Sequence, residues 1–254
     1  MQIYNIDQQT IELLYDMVKT SSYVKNNKHY MDIVDKTVML YSDEPVVNAY
    51  ATTLNDGSNK YKIQMYKGLC SCMQACSIAF ANYIDTRDVD DLKKHLNKLT
   101  KIIHNSDYEF LQNDYIEYIL EMKNEIGNIQ FNKIVTNTAS YASGAILEVL
   151  GHELGHICLG HLYDEHKSLE VSRNNERQAD LFACSVVNTT LFRDYVYLGS
   201  FMSNLLFTWM GKGSDRIATT HPHGQERLDN MFNAYEYQLN EMGITREVYN
   251  EIKP

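Results

Sequence analysis

The stretch AILEVLGHELGHICLGHL, from Ala145 to Leu162, decides the fold of this chain. Its apolar residues recur with helical spacing, which predicts a helix sunk into the core. His152 and His156 lie four positions apart within it, so both imidazoles face one side of the helix. Two ring nitrogens on one face can meet a single zinc ion, and Glu153 can then reach a water on that ion. The stretch predicts part of a zinc hydrolase site; the alternative is two histidines packed within a core helix.

A zinc hydrolase also needs a third protein ligand and an open fourth position. The metzincin pattern does not apply, because Leu159 and Leu162 occupy the positions where it requires glycine and histidine. His161 follows His156 by five residues, about 140° around a continued helix, so we expect it to point elsewhere. We interpret His161 as a surface or supporting histidine and not as a ligand.

The segment NERQAD, residues 175–180, offers the third ligand at the start of another predicted helix. Glu176 and Asp180 lie four positions apart and so share one helix face. Such a site requires a ligating carboxylate and a second carboxylate that holds the far N–H of a ligand histidine. We predict Glu176 as the third ligand and Asp180 as the supporting carboxylate. The alternative is an exposed acidic face near a helix N-terminus, where the helix dipole favours negative charge.

A carboxylate-bridged di-iron site is the rival chemistry, because it also uses Glu-x-x-His on helices. Such a site needs the motif twice. Glu153 is the only glutamate of the chain with a histidine three residues later, so the sequence disfavours this chemistry.

The remaining sequence predicts an α+β fold that is mainly helical. Strand-like residues from Val46 to Thr53 and from Tyr61 to Met65 flank the turn Asn55–Ser58 and predict a β-hairpin. Helical patterns follow at residues 68–83, 89–103 and 108–126. No Pro- or Gly-rich linker divides the chain, so we predict a single domain over residues 1–254. It would carry an N-terminal helical extension (about 1–42) and a solvated helical insertion (about 85–130).

Composition and charge exclude several classes of protein. Acidic residues outnumber basic ones by 33 to 23, so the net charge of −10 disfavours nucleic acid and anionic lipid as partners. The most apolar stretch, Val196–Met210, is shorter than the roughly 20 residues that cross a bilayer, and we interpret it as a core helix. The first residues show no basic start before an apolar run, so we expect no secretory signal and a cytoplasmic protein. Cys70, Cys72 and Cys76 form no CxxC pair, and we expect them to pack in the core as free thiols.

Four motifs, taken in order, resemble those of peptidase family M48, the HtpX- and Ste24-like gluzincin zinc metallopeptidases. They are VNAYA (Val47–Ala51), like an NAF/NAY edge strand; HELGH (His152–His156); ERQAD (Glu176–Asp180), like E-x-x-A-D; and His221-Pro222 with Arg227, like HP…R. The resemblance implies a zincin-like fold, with a small sheet beside the helix that carries HExxH. Many members carry transmembrane helices, whereas this sequence predicts a soluble member.

The resemblance also implies an activity, that of a zinc-dependent metalloendopeptidase with one zinc ion per chain. His152, His156 and Glu176 would hold the ion. Glu153 would be the general base that takes a proton from the zinc-activated water and later gives it to the leaving amine.

The other matching motifs imply roles around the substrate. Asn48, Ala49 and Tyr50 would pair with an extended polypeptide through main-chain hydrogen bonds. His221 would lie near the oxyanion as a catalytic residue, and Arg227 would anchor the site by pairing with a carboxylate of the ERQAD motif. The alternative for Asn48, Ala49 and Tyr50 is a plain core strand. The alternative for His221 is a turn histidine before a proline.

Two other functions stay open. The chain could be an inactive or latent zinc-binding homologue that acts as a polypeptide-binding module, although the presence of Glu153 counts against it. Hydrolysis of a substrate other than protein is also compatible with the motifs.

Overall fold

The computed structural model describes residues 6–54, 57–163, 168–190, 193–211 and 224–254. Within these ranges helices dominate, and three short strands form the sheet. In chain order the elements are α1 (Gln8–Thr20), α2 (Ser22–Lys25), α3 (Lys28–Val34), β1 (Thr37–Ser42), β2 (Ala49–Thr53), β3 (Tyr61–Tyr66), α4 (Lys67–Thr86), α5 (Val89–Asn105), α6 (Gln112–Ile126), α7 (Asn128–Cys158), α8 (Leu169–Asn188), α9 (Arg193–Gly211), α10 (Gly224–Glu241) and α11 (Arg246–Ile252). The prediction of a mainly helical α+β fold is confirmed.

Helix α7 is the centre of the fold. It is 31 residues long and packs against α4, α8 and α9, the three helices that cover most of its surface. The part from Ala145 to Cys158 is buried except for Glu153 and His156, which are partly exposed. A helix that is apolar nearly all round belongs inside a protein, so its few polar side chains are held in a water-poor environment.

The sheet lies beside α7 and has the strand order β1-β3-β2. The predicted hairpin is confirmed: β2 and β3 are antiparallel, with Ala49 opposite Met65 and Thr53 opposite Tyr61. The turn between them includes Asn55 and Asp56, which lie outside the described residues. Among the described strands, β2 pairs with β3 alone, so its other edge faces away from the sheet.

The third strand, β1, was not predicted. It occupies Thr37–Ser42, at the end of the region expected to be helical, and pairs in parallel with β3. Its side chains alternate between half-buried and exposed from Thr37 to Leu40, a pattern too short to distinguish from a helix turn by periodicity alone. The strand forms because β3 offers it a partner, which is tertiary information.

The helices predicted over residues 89–103 and 108–126 are present as α5 and α6, and each packs one face against the rest of the fold. Helix α5 packs on α4, α9 and α11, while α6 packs on α4 and α7. Their inner faces bury Leu92, Leu96, Leu99, Tyr118, Ile119 and Met122. The Asp, Glu and Lys residues of both helices are exposed or half-buried.

The most apolar stretch and the cysteine cluster of the sequence both lie in the core. Residues Val196–Met210 lie within α9, whose side chains there are mostly buried in the core. No helix in the described part of the chain is long and apolar enough to cross a membrane. Cys70, Cys72 and Cys76 are buried free thiols of α4, as expected, and burial raises the pKa of each.

Candidate metal centre

The candidate site forms where α7 and α8 approach each other closely. Gly151 and Gly155, one turn apart on α7, face the small residues Ala183 and Ala179 of α8. A Cβ atom at Gly155 would lie 3.2 Å from the Ala179 Cα atom, and one at Gly151 would lie 3.2 Å from the Ala183 Cα atom. The glycines therefore permit a backbone separation that a larger residue would widen, and this separation brings the polar residues of α8 to the histidines of α7.

Three candidate ligand residues converge at this crossing. The Nε2 atoms of His152 and His156 are 3.0 Å apart, and Glu176 places Oε2 3.3 Å from the first and Oε1 3.5 Å from the second. Zinc ligands at about 2.0–2.1 Å in tetrahedral geometry are separated by about 3.3–3.4 Å. The spacing and the chemistry of the three donors thus fit a zinc ion, and the structure brings together the three residues predicted as ligands.

The far nitrogen of His152 is held by a carboxylate. Its Nδ1 lies 2.9 Å from Asp180 Oδ1, and a carboxylate can only accept, so Nδ1 carries the proton. Asp180 in turn accepts two bonds from the Arg227 guanidinium, of 2.9 Å from Nε and 2.6 Å from Nη2. This arrangement fixes the ring and leaves the lone pair of His152 Nε2 directed at the metal position.

Helix α10 carries Arg227 and is tied to α8 by a second ion pair. Arg177 Nε donates to Glu226 Oε1 at 2.7 Å, next in sequence to the contact of Arg227 with Asp180. Of the two carboxylates that the sequence left open for Arg227, the hydrogen bonds go to Asp180.

The outer nitrogen of His156, Nδ1, is held by His161. His156 Nδ1 lies 3.1 Å from His161 Nδ1, and His161 Nε2 lies 3.2 Å from Gln178 Oε1. The amide oxygen can only accept, so His161 carries its proton on Nε2 and offers the Nδ1 lone pair to the Nδ1–H of His156. His156 Nε2 is then left with a lone pair, as a metal ligand must be.

The expectation that His161 points elsewhere was wrong for a local reason, although its position fits the interpretation as a supporting histidine. Helix α7 ends at Cys158, and His161 begins a 3-10 turn, so its direction cannot be extrapolated around a continuing helix. His161 is buried although it lies beyond the end of the helix. The signals available in the sequence were a histidine just past the predicted helix and a glutamine two residues after Glu176.

The site electrostatics favour a cation. Burial disfavours charge on His152, but hydrogen bonds with Asp180 and Glu176 outweigh burial and raise its pKa. Burial, and next the charge of His152, lower the pKa of His156. Burial would raise the pKa of Asp180, yet Arg227 and His152 outweigh it, so the pKa is lowered and the carboxylate stays ionised. Acceptor groups from three residues meet at this crossing, so either a proton on His152 or a bound cation would stabilise them.

The other residues predicted for the site come from α7, from the region of β2 and from the segment around His221. Glu153, next to His152 on α7, is partly exposed and so within reach of water. Asn48 is exposed, and Ala49 and Tyr50 open the edge strand β2, which packs against α7. His221 lies outside the described residues, so its predicted position is not tested.

Comparison with known proteins identifies the family. The family model of peptidase U49 matches residues 64–248, which is more than half of the chain. The chain belongs to the peptidase U49 family. No curated protein and no solved structure matches it.

Membership in this family confirms that the chain is a peptidase-family protein, with a polypeptide as the expected substrate. The family shown is U49 and not M48, the family that the four motifs resemble. The matched region contains the whole candidate metal centre and begins after Asn48–Tyr50, so it does not bear on the proposed substrate strand. The zincin-like fold stays a prediction.

Proposed function

We propose that this peptidase is a zinc-dependent endopeptidase whose ion is held by His152, His156 and Glu176. The observation that carries the proposal is the convergence of two imidazole nitrogens and a carboxylate, with separations of 3.0, 3.3 and 3.5 Å. Glu153 is adjacent in sequence to the first ligand and partly exposed. The three donors leave one tetrahedral position for water or substrate, as a hydrolytic site requires.

A zinc ion held by these residues would supply Lewis-acid chemistry and would lower the pKa of bound water toward about 7. The protein supplies the proton transfers. A carboxylate oxygen of Glu153 accepts the proton of the attacking water and then delivers it to the nitrogen of the leaving amine. Asp180 and His161 keep protons on the outer nitrogens of His152 and His156, so neither ligand ring can turn away.

Substrate recognition is assigned to the free edge of β2. An extended peptide can add there as a further strand and bind through main-chain hydrogen bonds, which impose little sequence selectivity. Asn48, Ala49 and Tyr50 are the residues at the start of that edge, beside α7. His221 keeps its proposed role as a donor near the developing oxyanion.

The deciding experiment is Glu153→Gln, with Glu241→Gln as a matched control on an exposed position of α10. The glutamine keeps the size of the side chain and the three ligands but cannot accept a proton from water. Peptidase activity on unfolded protein and a peptide library should fall by about 100- to 10,000-fold. Zinc content, measured by mass spectrometry, should stay at about one ion per chain in both variants.

Two results would overturn the proposal. Equal cleavage by wild type and Glu153→Gln at matched zinc content would remove Glu153 as the base. A zinc-loaded wild type that binds unfolded polypeptide without cutting it, also after limited trimming of both termini, would favour the binding module instead.

A further inference from the structure

A second cluster of metal-ligating side chains lies where α5 meets the end of α6. Asp91 and His95 are four residues apart on α5, and Glu125 comes from the last turn of α6. His95 Nε2 lies 3.4 Å from Asp91 Oδ1 and 3.5 Å from Glu125 Oε2. These separations again match the roughly 3.3–3.4 Å between ligands of a tetrahedral zinc-sized ion.

The buried imidazole of His95 is the unusual member of this cluster. Its side chain is 1% exposed, and neither ring nitrogen has a hydrogen-bond partner in the described part of the chain. Buried polar groups of proteins are nearly always hydrogen-bonded, so an imidazole in this state needs an explanation. Burial lowers the pKa of His95 against the opposing effect of the two carboxylates, which favours the neutral form that binds metals.

The surrounding residues hold the cluster in shape. Asn82 Nδ2 donates to Asp91 Oδ2 at 2.9 Å, which leaves Oδ1 facing His95. The Tyr118 ring meets the imidazole edge-on, with 5.8 Å between the ring centroids, and restricts its rotation. A ligand carboxylate with an outer hydrogen bond and a ring with a fixed direction are features of metal sites.

Lys94 occupies the place of a cation in this arrangement. Its Nζ lies 2.6 Å from Glu125 Oε2, the same oxygen that faces His95. The Lys94 side chain is 56% exposed, so it can turn into solvent at little cost. The nearby Lys98 is paired with Glu121, outside the cluster.

We propose that Asp91, His95 and Glu125 form a second site for one divalent transition-metal ion, which replaces the Lys94 ammonium at Glu125. One imidazole nitrogen and two carboxylate oxygens are donors that zinc, manganese and cobalt accept, and the exposed side leaves room for water. The site lies on the residue 85–130 insertion and is separate from the proposed catalytic centre. It joins α5 to α6, because Glu125 is the only one of its ligands that comes from α6.

The test uses the full chain carrying Glu176→Ala, so that the proposed catalytic site does not mask the result. Zn²⁺ is titrated by calorimetry and Co²⁺ by its visible absorption. One equivalent should bind, and Glu125→Gln or His95→Gln should weaken binding by at least about 100-fold, more than the loss of a supporting residue. Glu121→Gln, on the same helix and outside the cluster, should leave binding unchanged. Because Glu125 is partly exposed, its variant should fold even if His95→Gln does not.

Lys94→Gln gives a test that a plain ion-pair network would not pass. It removes the ammonium group that competes for Glu125 Oε2, so metal affinity should rise by about tenfold. Absence of binding, equal affinity in Glu125→Gln, or weaker binding in Lys94→Gln would each overturn the proposal. Because all variants share the Glu176→Ala background, the differences among them do not depend on whether the catalytic proposal holds.

Discussion

The two clusters are built alike and surrounded differently. In each, one helix offers two ligands four residues apart, and the next helix adds a glutamate: Glu176 for the centre on α7, Glu125 for the one on α5. Around the first, the outer histidine nitrogens are held by a carboxylate and a second histidine. Around the second, a lysine competes for the glutamate. The two clusters should therefore differ in metal affinity and in chemistry despite their similar ligand spacing, because the residues around the ligands influence both.

The residues next to the histidines distinguish a cluster that could catalyse hydrolysis from one that could only bind a metal. His152 is followed by Glu153, a proton acceptor, whereas His95 is preceded by Lys94 and followed by Leu96. The α5 cluster thus lacks an adjacent general base. In the proposed mechanism Glu153 activates water at the α7 centre, and the α5 cluster has no equivalent carboxylate next to its histidine.

The largest difference between the clusters should appear when their glutamates are removed. Glu176→Ala should weaken tight zinc binding by at least about 100-fold and abolish peptidase activity, because it removes a ligand of the α7 centre. Glu125→Ala should leave that activity and that zinc ion in place. Chelator competition measures the affinity, and peptide cleavage the activity.

Tight stoichiometric zinc in Glu176→Ala, with unchanged coordination by X-ray absorption, would show that another residue is the third ligand. Loss of peptidase activity in Glu125→Ala would show that the two clusters are not independent.

Spacing along the sequence was enough to predict that His152, His156 and Glu176 lie together, because helical geometry fixes side-chain direction over one turn. His152 and His156, or Glu176 and Asp180, need only a continuous helix to share a face. His161 was missed because α7 ends before it. His95 was missed because an Asp-x-x-x-His pair is common, and its meaning depends on Glu125, 30 positions later and on another helix.

The fold divides in the same way. The hairpin of β2 and β3 joins neighbouring segments of the sequence and was predicted. Strand β1 was not predicted, because its partner β3 comes after β2 in the sequence. Likewise, the close crossing at Gly155 depends on which residues of α8 face it, and no pattern within HELGH reveals that. Sequence patterns within one element predicted the helices and the candidate ligands. Contacts between distant elements determine how the helices pack together.

The next largest effects are expected at the residues that hold the ligand histidines. Asp180→Asn and His161→Ala should each weaken zinc binding by about 10- to 100-fold, because a ligand ring loses its orientation. The matching change in the second cluster, Asn82→Ala, should leave the α7 centre unaffected. Zinc affinity by chelator competition and ¹⁵N chemical shifts of the imidazoles measure the outcome; unchanged tautomers in His161→Ala would contradict the proposed hydrogen-bond chain.

A smaller effect is expected at the helix crossing. Gly155→Ala introduces a Cβ atom 3.1 Å from the Phe182 Cβ atom and 3.2 Å from the Ala179 Cα atom, so α8 must shift. Overpacking costs about 1–3 kcal/mol, against a gain of about 1 kcal/mol in helix propensity. The net loss should be about 1 kcal/mol in urea unfolding, while Asn132→Ala on an exposed part of α7 should be neutral or stabilising. A Gly155→Ala variant as stable as wild type would contradict the tight crossing.

The smallest effect on metal binding is expected at Glu148, which lies one turn before His152 and accepts a bond from Ser200 Oγ at 3.1 Å. Burial, and next the charge of Asp180, raise the pKa of Glu148 from 4.5 to about 7. Between these values the unfolded chain has lost the proton and the folded chain keeps it, so the wild type loses stability as pH rises through this window. Glu148→Gln keeps the acceptor for Ser200 but has no such dependence. The metal-free variant should therefore gain stability relative to metal-free wild type between pH 5 and pH 8, with zinc affinity at pH 8 changed by only a few fold. Urea unfolding at the two pH values, with Glu241→Gln as the exposed control, measures this difference, and an equal difference at both pH values would show that Glu148 is ionised throughout.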